Sequence, residues 1–430
     1  MASEPPYPTV PPSPGPGVIL ISPYPPCRTG PAEYAAVFSR ELARRGYPVT
    51  VLTEEAAGPT PAPPAGVSVK RGWSKGLLLP WRMYRSASQS RGDVIHVNYS
   101  FTMYGNSLTS SLTLLTFFAL RRRSPLIVTL FDVFPRRELT RETLSLYSVG
   151  FPPVLAGLAV KMVLRFLSHA AEVIVVQSPT MRDVLVEDYG LPLEKVVVTE
   201  LPGYPPRESP RDRVSSIVRA GRKTVLFYGF LAPYKGVEPL LEAFAEARKL
   251  GEAPSLRVVV AGTNHPRLSY DYRAELEAHA RTLGLTEEEV CFPGYVDAAE
   301  SERLFAASEL VVLPYLQTTG SSGTLASAIG HDRPVLLTSL PPLLSQLNGY
   351  QLGRVVPPGD VDALRETLVQ VENGRFVPTP NPAHARRRKA TWTDLVRDTV
   401  AVYAAALYRR RPRRILAAPK LYATGPPRVD

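Results

Sequence analysis

Residues 201–237 read LPGYPPRESPRDRVSSIVRAGRKTVLFYGFLAPYKGV, and this stretch decides the fold. Its first part, 201–222, is dense in proline and arginine and holds no sustained apolar period, so it reads as a connection. Its second part turns into a β-branched and aromatic run at 224–228, closed by Gly229. On both sides of the break one alternation repeats. Before it, apolar runs at 18–21, 49–52, 94–97, 126–130, 173–176 and 196–199 predict strands; after it, runs at 224–228, 256–261, 290–292, 310–313, 335–337 and 354–356 do the same. Runs this continuously apolar belong to parallel sheets covered on both faces. Helical periods lie between them: Tyr34, Phe38 and Leu42 ending at Gly46, then Val237, Leu240, Leu241, Phe244 and Ala247, and a last stretch over 391–408. Two such series predict two doubly wound α/β domains.

The length of 430 residues exceeds what one core organises and agrees with that division. The 45 prolines concentrate in the leader 1–16, a loop at 59–64, the connection, and 378–382 before the last helix. A net charge of +11 favours anionic partners, and the basic runs at 121–123, 386–389 and 409–414 are equally read as solvated surface. Cys27 and Cys291 are far apart and form no CxxC pair, which argues for a reducing compartment and against a cysteine zinc site. No secretory leader is evident, and no uninterrupted apolar run reaches about 18 residues, so no membrane span is expected. Contact with a membrane surface stays open, because 108–123 and 151–165 combine apolar residues with Lys and Arg.

In an open parallel sheet the ligand lies beyond the carboxyl ends of the strands, which directs attention to three segments. After 18–21, Gly30 fits an N-cap, Pro31 the first helical position and Glu33 a first-turn acid. The segment is either a capped turn or, through its free amides, a site for a sugar hydroxyl, and Glu33 disfavours a phosphate. After 224–228 the loop 229–236 ends in Lys235 and Gly236. A lysine ahead of a helix start opposes the macrodipole by roughly 0.3–1 kcal/mol, a cost that an anion would reverse. After 310–313 a run of Thr, Gly and Ser opens a helix and could turn amides and hydroxyls toward one oxyanion; a plain flexible loop is the alternative. Two anion-ready helix starts in one domain suit a diphosphate. His96, in a strand at 93–98, reads either as a cleft residue or as a satisfied core histidine. No HExxH, GxGxxG or GxxxxGK[ST] is present, which weighs against zinc hydrolases, dinucleotide oxidoreductases and P-loop NTPases.

The residues in these positions resemble a known family. YGFLAPYKGV at 228–237, FPGYV at 292–296, LFAASELVVLP at 304–314 and AIGHDRPV at 328–335, together with TGPAEY at 29–34 and RRGYPVTV at 44–51, are similar to the retaining glycosyltransferases of family four. The resemblance runs from about residue 18 to 408 and rests on the order of the motifs. It implies a GT-B fold: an acceptor-binding Rossmann-like domain over 17–205, a linker over 206–222, a nucleotide-sugar domain over 223–385, a return helix over 386–410 packing on the first domain, and a basic tail over 411–430. It implies a donor diphosphate and sugar held by Gly229, Phe230, Lys235, Gly320, Ser321, Ser322, Gly323 and Thr324, with the backbone at Tyr295 and Val296 against the nucleobase. Thr29, Gly30, Glu33 and His96 fall on the acceptor side, and Lys235 and Asp132 carry the catalytic roles. The sequence departs from the family pattern in three respects. Phe230 replaces an arginine, Phe131 a histidine, and Thr319 and Ser327 two glutamates separated by seven residues.

The expected activity is transfer of a sugar from a nucleotide-diphosphate donor to a glycan, lipid-linked or small-molecule acceptor with retention. No tightly bound cofactor and no metal are called for. A cytoplasmic location is expected, with the inner membrane face open to a peripheral protein. The competing class is a catalytically degenerate GT-B scaffold or partner subunit. Nucleic acid ranks last, because no aromatic platform accompanies the basic tail.

Overall fold

The computed structural model describes residues 15–27, 29–55, 62–101, 103–105, 107–146, 152–206, 215, 217–265, 268–347, 350–379 and 390–410. Residues 1–14 of the leader, most of the linker, the basic run 386–389 and the tail 411–430 lie outside them.

The strands of the first half are β1 Val18–Ile21, β2 Val49–Glu54, β3 Val67–Trp73, β4 Val94–Tyr99, β5 Leu126–Leu130, β6 Val173–Val176 and β7 Val196–Val198. Those of the second are β8 Lys223–Tyr228, β9 Leu256–Ala261, β10 Val290–Gly294, β11 Ser308–Leu313, β12 Val335–Thr338 and β13 Gly353–Val356. The helices are α1 Gly30–Arg44, α2 Leu79–Ser88, α3 Ser107–Leu120, α4 Arg141–Leu146, α5 Pro153–Ala170, α6 Pro179–Glu187, α7 Val237–Lys249, α8 Tyr272–Thr282, α9 Ala298–Ala307, α10 Gly323–Gly330, α11 Pro341–Gln346, α12 Val361–Glu372 and α13 Trp392–Arg410. They build two Rossmann-like domains. One sheet runs β3-β2-β1-β4-β5-β6-β7 and the other β10-β9-β8-β11-β12-β13, with every pairing between these strands parallel.

This order fixes where a ligand can sit. The first sheet reverses direction between β1 and β4, the second between β8 and β11. At such a switch point the two flanking connections leave toward opposite faces and open a crevice at the strand ends. The segments after β1, β4, β8 and β11 therefore face the cleft, and they include the loops ending in Gly30, Lys235 and Gly323.

Strand β3 and helix α2 were not anticipated. β3 is an edge strand in which Val67 and Trp73 are buried while Ser68, Lys70 and Arg71 face water, so it lacks a continuous apolar run. Helix α1 begins one residue earlier than expected: Thr29, not Gly30, is the N-cap, its hydroxyl accepting from the Ala32 amide at 3.4 Å. Helix α5 is long and apolar enough, by length and composition, to cross a membrane, although no span was expected. Its Leu164 and Leu167 are nevertheless buried in the N-domain core.

Helix α13 lies on the N-domain. Val396, Tyr403 and Ala406 join Tyr34, Phe38 and Leu42 of α1 in one buried cluster. His96 belongs to this packing and not to the cleft, which corrects its acceptor-side assignment. β4 is central and buried along its whole length, and the imidazole bonds Tyr403 Oη at 2.6 Å and Thr129 Oγ1 at 2.7 Å. Burial drops its pKa from the ordinary 6.5 to about 3. The folded state thus keeps His96 neutral, while the unfolded chain protonates it below 6.5. Its contribution is complete above pH 6.5 and is lost as pH falls toward about 3, a span worth on the order of 5 kcal/mol. Denaturant titrations of His96→Asn should give lower stability at neutral pH and a shallower loss between pH 6.5 and 4. A slope equal to that of the unaltered chain would show that His96 is not the titrating group.

Candidate active site in the interdomain cleft

A cavity of about 440 Å³ lies between the domains. The C-domain contributes Phe230, Tyr234, Lys235, His265, Gly320, Ser321 and Gly323 to its wall; the N-domain contributes Cys27, Thr29, Gly30, Glu54, Lys75, Ser100, Asp132 and Gln177. Its size is within the range of small-molecule sites.

Lys235 ends a 3-10 turn and is followed by Gly236 at φ +65°. A Cβ on Gly236 would lie 2.0 Å from the Pro314 carbonyl oxygen, so only glycine lets the loop after β8 close on the loop after β11. The Leu316 amide donates to the Tyr234 carbonyl at 2.8 Å and joins these loops. The Lys235 ammonium sits 3.6 Å from the centre of the Tyr315 ring. Burial works against its charge, but the Tyr315 and Tyr234 phenols outweigh it and hold the pKa above the ordinary lysine value. Burial would raise the Tyr315 phenol in turn, yet Lys235 and the Ser322 hydroxyl keep it lowered. The groups favouring the Lys235 charge are phenols, not carboxylates, so the cation retains capacity for an anion.

Gly323 opens α10, and as first-turn residues Gly323 and Thr324 carry amides that no intrahelical carbonyl can accept. Ser321 Oγ is buried without a hydrogen-bond partner among the described residues. Ser322 differs from its expected role. Its amide donates to Gln346 Oε1 at 2.7 Å, its carbonyl accepts from Gln346 Nε2 at 2.8 Å, and its hydroxyl caps the Leu325 amide at 3.3 Å. It shapes the loop and leaves the donor role to its neighbours. The Thr324 hydroxyl is likewise committed, to the Tyr228 carbonyl at 2.8 Å. Gly229 does not line the cavity; its amide bonds Ala261 at 3.0 Å.

The cleft is bridged at the sugar-phosphate loop. Val133 donates its amide to the Thr319 carbonyl at 3.0 Å, and a Cβ on Gly320 would lie 2.1 Å from the Phe131 carbonyl oxygen. This brings Asp132, which accepts a hydrogen bond from the Ser100 hydroxyl, beside Gly320 and Ser321. On the N-domain wall, Glu54 accepts from the Cys27 thiol at 3.0 Å and pairs with Lys75 at 3.5 Å. Burial and the Glu54 carboxylate push the thiol up to about 11, so it stays protonated at neutral pH. Gln177 Nε2 is buried with no partner among the described residues. Glu33 lies in the first turn of α1 outside the cavity wall, in contrast to Thr29 and Gly30. Tyr295 and Val296 follow β10 and do not line the cavity; the Val296 side chain is in the C-domain core. Among the described residues no three His, Cys, Asp or Glu side chains cluster as metal ligands.

Residues 28–200 match the model of Glycosyltransferase Family 4, and residues 222–373 match that of Glycosyl transferases group 1. The chain belongs to glycosyltransferase family 4. Among curated relatives of this family-four chain, mannosylfructose-phosphate synthase of Agrobacterium fabrum is 25% identical over 246 residues, 54% of this chain and 53% of that one. GDP-mannose:glycolipid 4-beta-D-mannosyltransferase of Xanthomonas campestris is 34% identical over 113 residues, 26% and 29% of the two chains. The matched stretches thus span about half or less of those relatives. Similar solved structures include sucrose-phosphate synthase from Thermosynechococcus elongatus, with TM-score 0.64 and 17% identity over 91% of this chain and 99% of that one. Anabaena HepE in complex with UDP and glucose gives TM-score 0.62 at 17% identity over 91% and 100%. These likenesses establish the GT-B fold.

The family-four departures have visible consequences. Phe230, at the arginine position, packs edge-on against His265 with ring centres 5.5 Å apart, so His265 enters the same wall as Lys235. Sequence reading missed His265, Gln177, Glu54 and Lys75. Each lies just past a strand end or at its last residue, where the switch-point rule applied to every strand would have directed attention.

Proposed function

We propose that the cleft transfers a sugar from a nucleotide-diphosphate donor to a hydroxyl-bearing acceptor with retention at the anomeric carbon. The observation that carries this reading is the convergence of Lys235, Ser321 and the Gly323 end of α10 on one wall of the cavity. In this reading the donor diphosphate lies against that wall, with His265 beside it and the nucleobase extending toward the backbone after β10.

As the glycosidic bond to the diphosphate breaks, negative charge grows on the leaving phosphate oxygen. Lys235 and the amides of Gly323 and Thr324 stabilise that charge without reorganising, which is the most effective form of electrostatic assistance. A phosphate oxygen of the donor takes the acceptor proton on the same face, so no protein nucleophile is required. Asp132, fixed by Ser100, and the Thr29–Gly30 helix start orient hydroxyls across the bridge. The acceptor side, with Glu54, Lys75 and Gln177, is polar and suits a sugar or a sugar headgroup.

The test is a panel of nucleotide sugars screened by thermal shift, followed by proton NMR of the product formed from the stabilising donor. A raised melting temperature with one donor and a product of unchanged anomeric configuration are expected. An inverted product would end the retaining mechanism. No stabilisation by any nucleotide sugar would favour the scaffold reading, to which the loss of the arginine, histidine and glutamates lends weight.

A further inference from the structure

Helices α2, α3 and α5 lie side by side on the outer face of the N-domain. The Thr116 hydroxyl donates to the Pro80 carbonyl at 3.0 Å, and Phe118 and Phe166 lie with ring centres 5.9 Å apart. Arg123 donates to the Ser88 carbonyl at 3.2 Å and Arg121 to that of His169, so the three C-terminal ends gather at 121–123. The opposite ends point toward the strand termini that build the cleft.

This face is unusual in two ways. It exposes large apolar side chains, among them Leu78 at 61%, Trp81 at 55%, Val154 at 82%, Leu155 at 53%, Leu158 at 55% and Met162 at 64%. A monomeric surface scatters such residues singly; here they line the leading ends of two helices with Leu115 and Phe118 between. It also carries no carboxylate: α2, α3 and α5 contain no Asp or Glu, whereas Arg82, Arg85, Lys161 and Arg165 lie on them and 121–123 follow α3. Arg85 lies over the Trp81 ring at 5.2 Å, and Arg122 over Phe118 at 5.7 Å.

We propose that this three-helix face docks on the surface of an anionic lipid bilayer. Apolar tips with guanidinium groups among them match the acyl–headgroup boundary, where rings and aliphatic chains enter the apolar layer and cations meet lipid phosphates. The charge decides for this occupant over a second copy of the chain, since two such faces would oppose cation to cation. α5 contributes by lying on the bilayer, because its inner face is spent on the N-domain core. The apolar ends lie toward the cleft, and Lys75, just ahead of α2, is itself in the cavity wall. Docking therefore brings the acceptor side close to the lipid surface. This orientation deepens the transferase reading; the docking itself does not depend on it.

The experiment is flotation of the full chain with vesicles of phosphatidylcholine alone and of equal phosphatidylcholine and phosphatidylglycerol. Binding to the mixed vesicles, weakened by salt, is expected. Arg122→Gln/Arg165→Gln should lower the partition coefficient about 30-fold, and Trp81→Ser/Leu158→Ser about 100-fold. Both pairs are exposed and remote from the diphosphate wall, so melting temperature and donor-induced stabilisation should stay as in the unaltered chain. Absence of flotation, or flotation that both pairs leave unchanged, overturns the proposal, the latter assigning binding to the basic tail. A dimer in sedimentation that Trp81→Ser/Leu158→Ser dissociates would also overturn it. Loss of donor binding with flotation intact would count against the transferase reading alone.

Discussion

Replacing Lys235 by Met lowers kcat/KM for sugar transfer about 10³-fold while leaving the melting temperature close to that of the unaltered chain. Methionine is an unbranched side chain of similar reach without the ammonium that lies over the Tyr315 ring, so the loss reports electrostatics more than packing. The effect is expected to be large because Lys235 is half-buried and its charge is favoured by phenols alone. An interaction with a developing phosphate charge is stronger there than in water. Because that charge grows along the reaction, the loss should fall mainly on kcat, with a smaller change in donor KM. A loss of about 10²-fold or less would make the proposed role minor. Lys235→Arg should recover little, since a planar guanidinium does not fit the slot above Tyr315 as a compact ammonium does.

Gly320→Ala should lower kcat/KM at least about 10²-fold by a different route. The added Cβ would lie 2.1 Å from the Phe131 carbonyl oxygen, well inside contact distance, and neither backbone is a flexible side-chain end. Gly320 belongs to the C-domain loop and Phe131 to the segment after β5, so relief must come from moving the two walls apart. That displaces Asp132 from Ser321 and strains the Val133–Thr319 bond. A misplacement of about 1 Å at a reacting centre is enough to cost roughly that factor. Each domain keeps its own core, so thermal unfolding should change little, and kinetics with calorimetry will separate the effects. Unchanged kinetics in Gly320→Ala would mean that this bridge is not part of the productive arrangement.

Much of this architecture was legible because buried parallel strands are continuous in apolar residues. The strands at 18–21, 126–130, 173–176 and 256–261 were located with their observed bounds. Once two such series were recognised, the rule about strand ends led to Lys235 and to the loop before α10 without further information. The roles of His96 and Ser322 were illegible because they depend on residues distant in sequence. His96 has Tyr403 as partner, 307 residues away, and only that contact decides between cleft and core. Ser322 resembled its neighbours as a donor until Gln346 proved to occupy its amide. Edge strand β3 hid behind its own solvated charges, and α2 behind exposed Trp81 and Tyr84, although Leu79, Met83 and Ala87 repeat every four residues.

The central claim is that one diphosphate touches both Lys235 and the start of α10. It is tested most directly by a crystal structure of the complex with the nucleoside diphosphate of the donor selected by thermal shift. The account predicts phosphate oxygens within hydrogen-bond distance of Lys235 Nζ and of the Gly323 or Thr324 amide, in the cavity lined by His265 and Ser321. A diphosphate bound outside this wall, or one contacting the α10 amides with Lys235 left untouched on Tyr315, would contradict it.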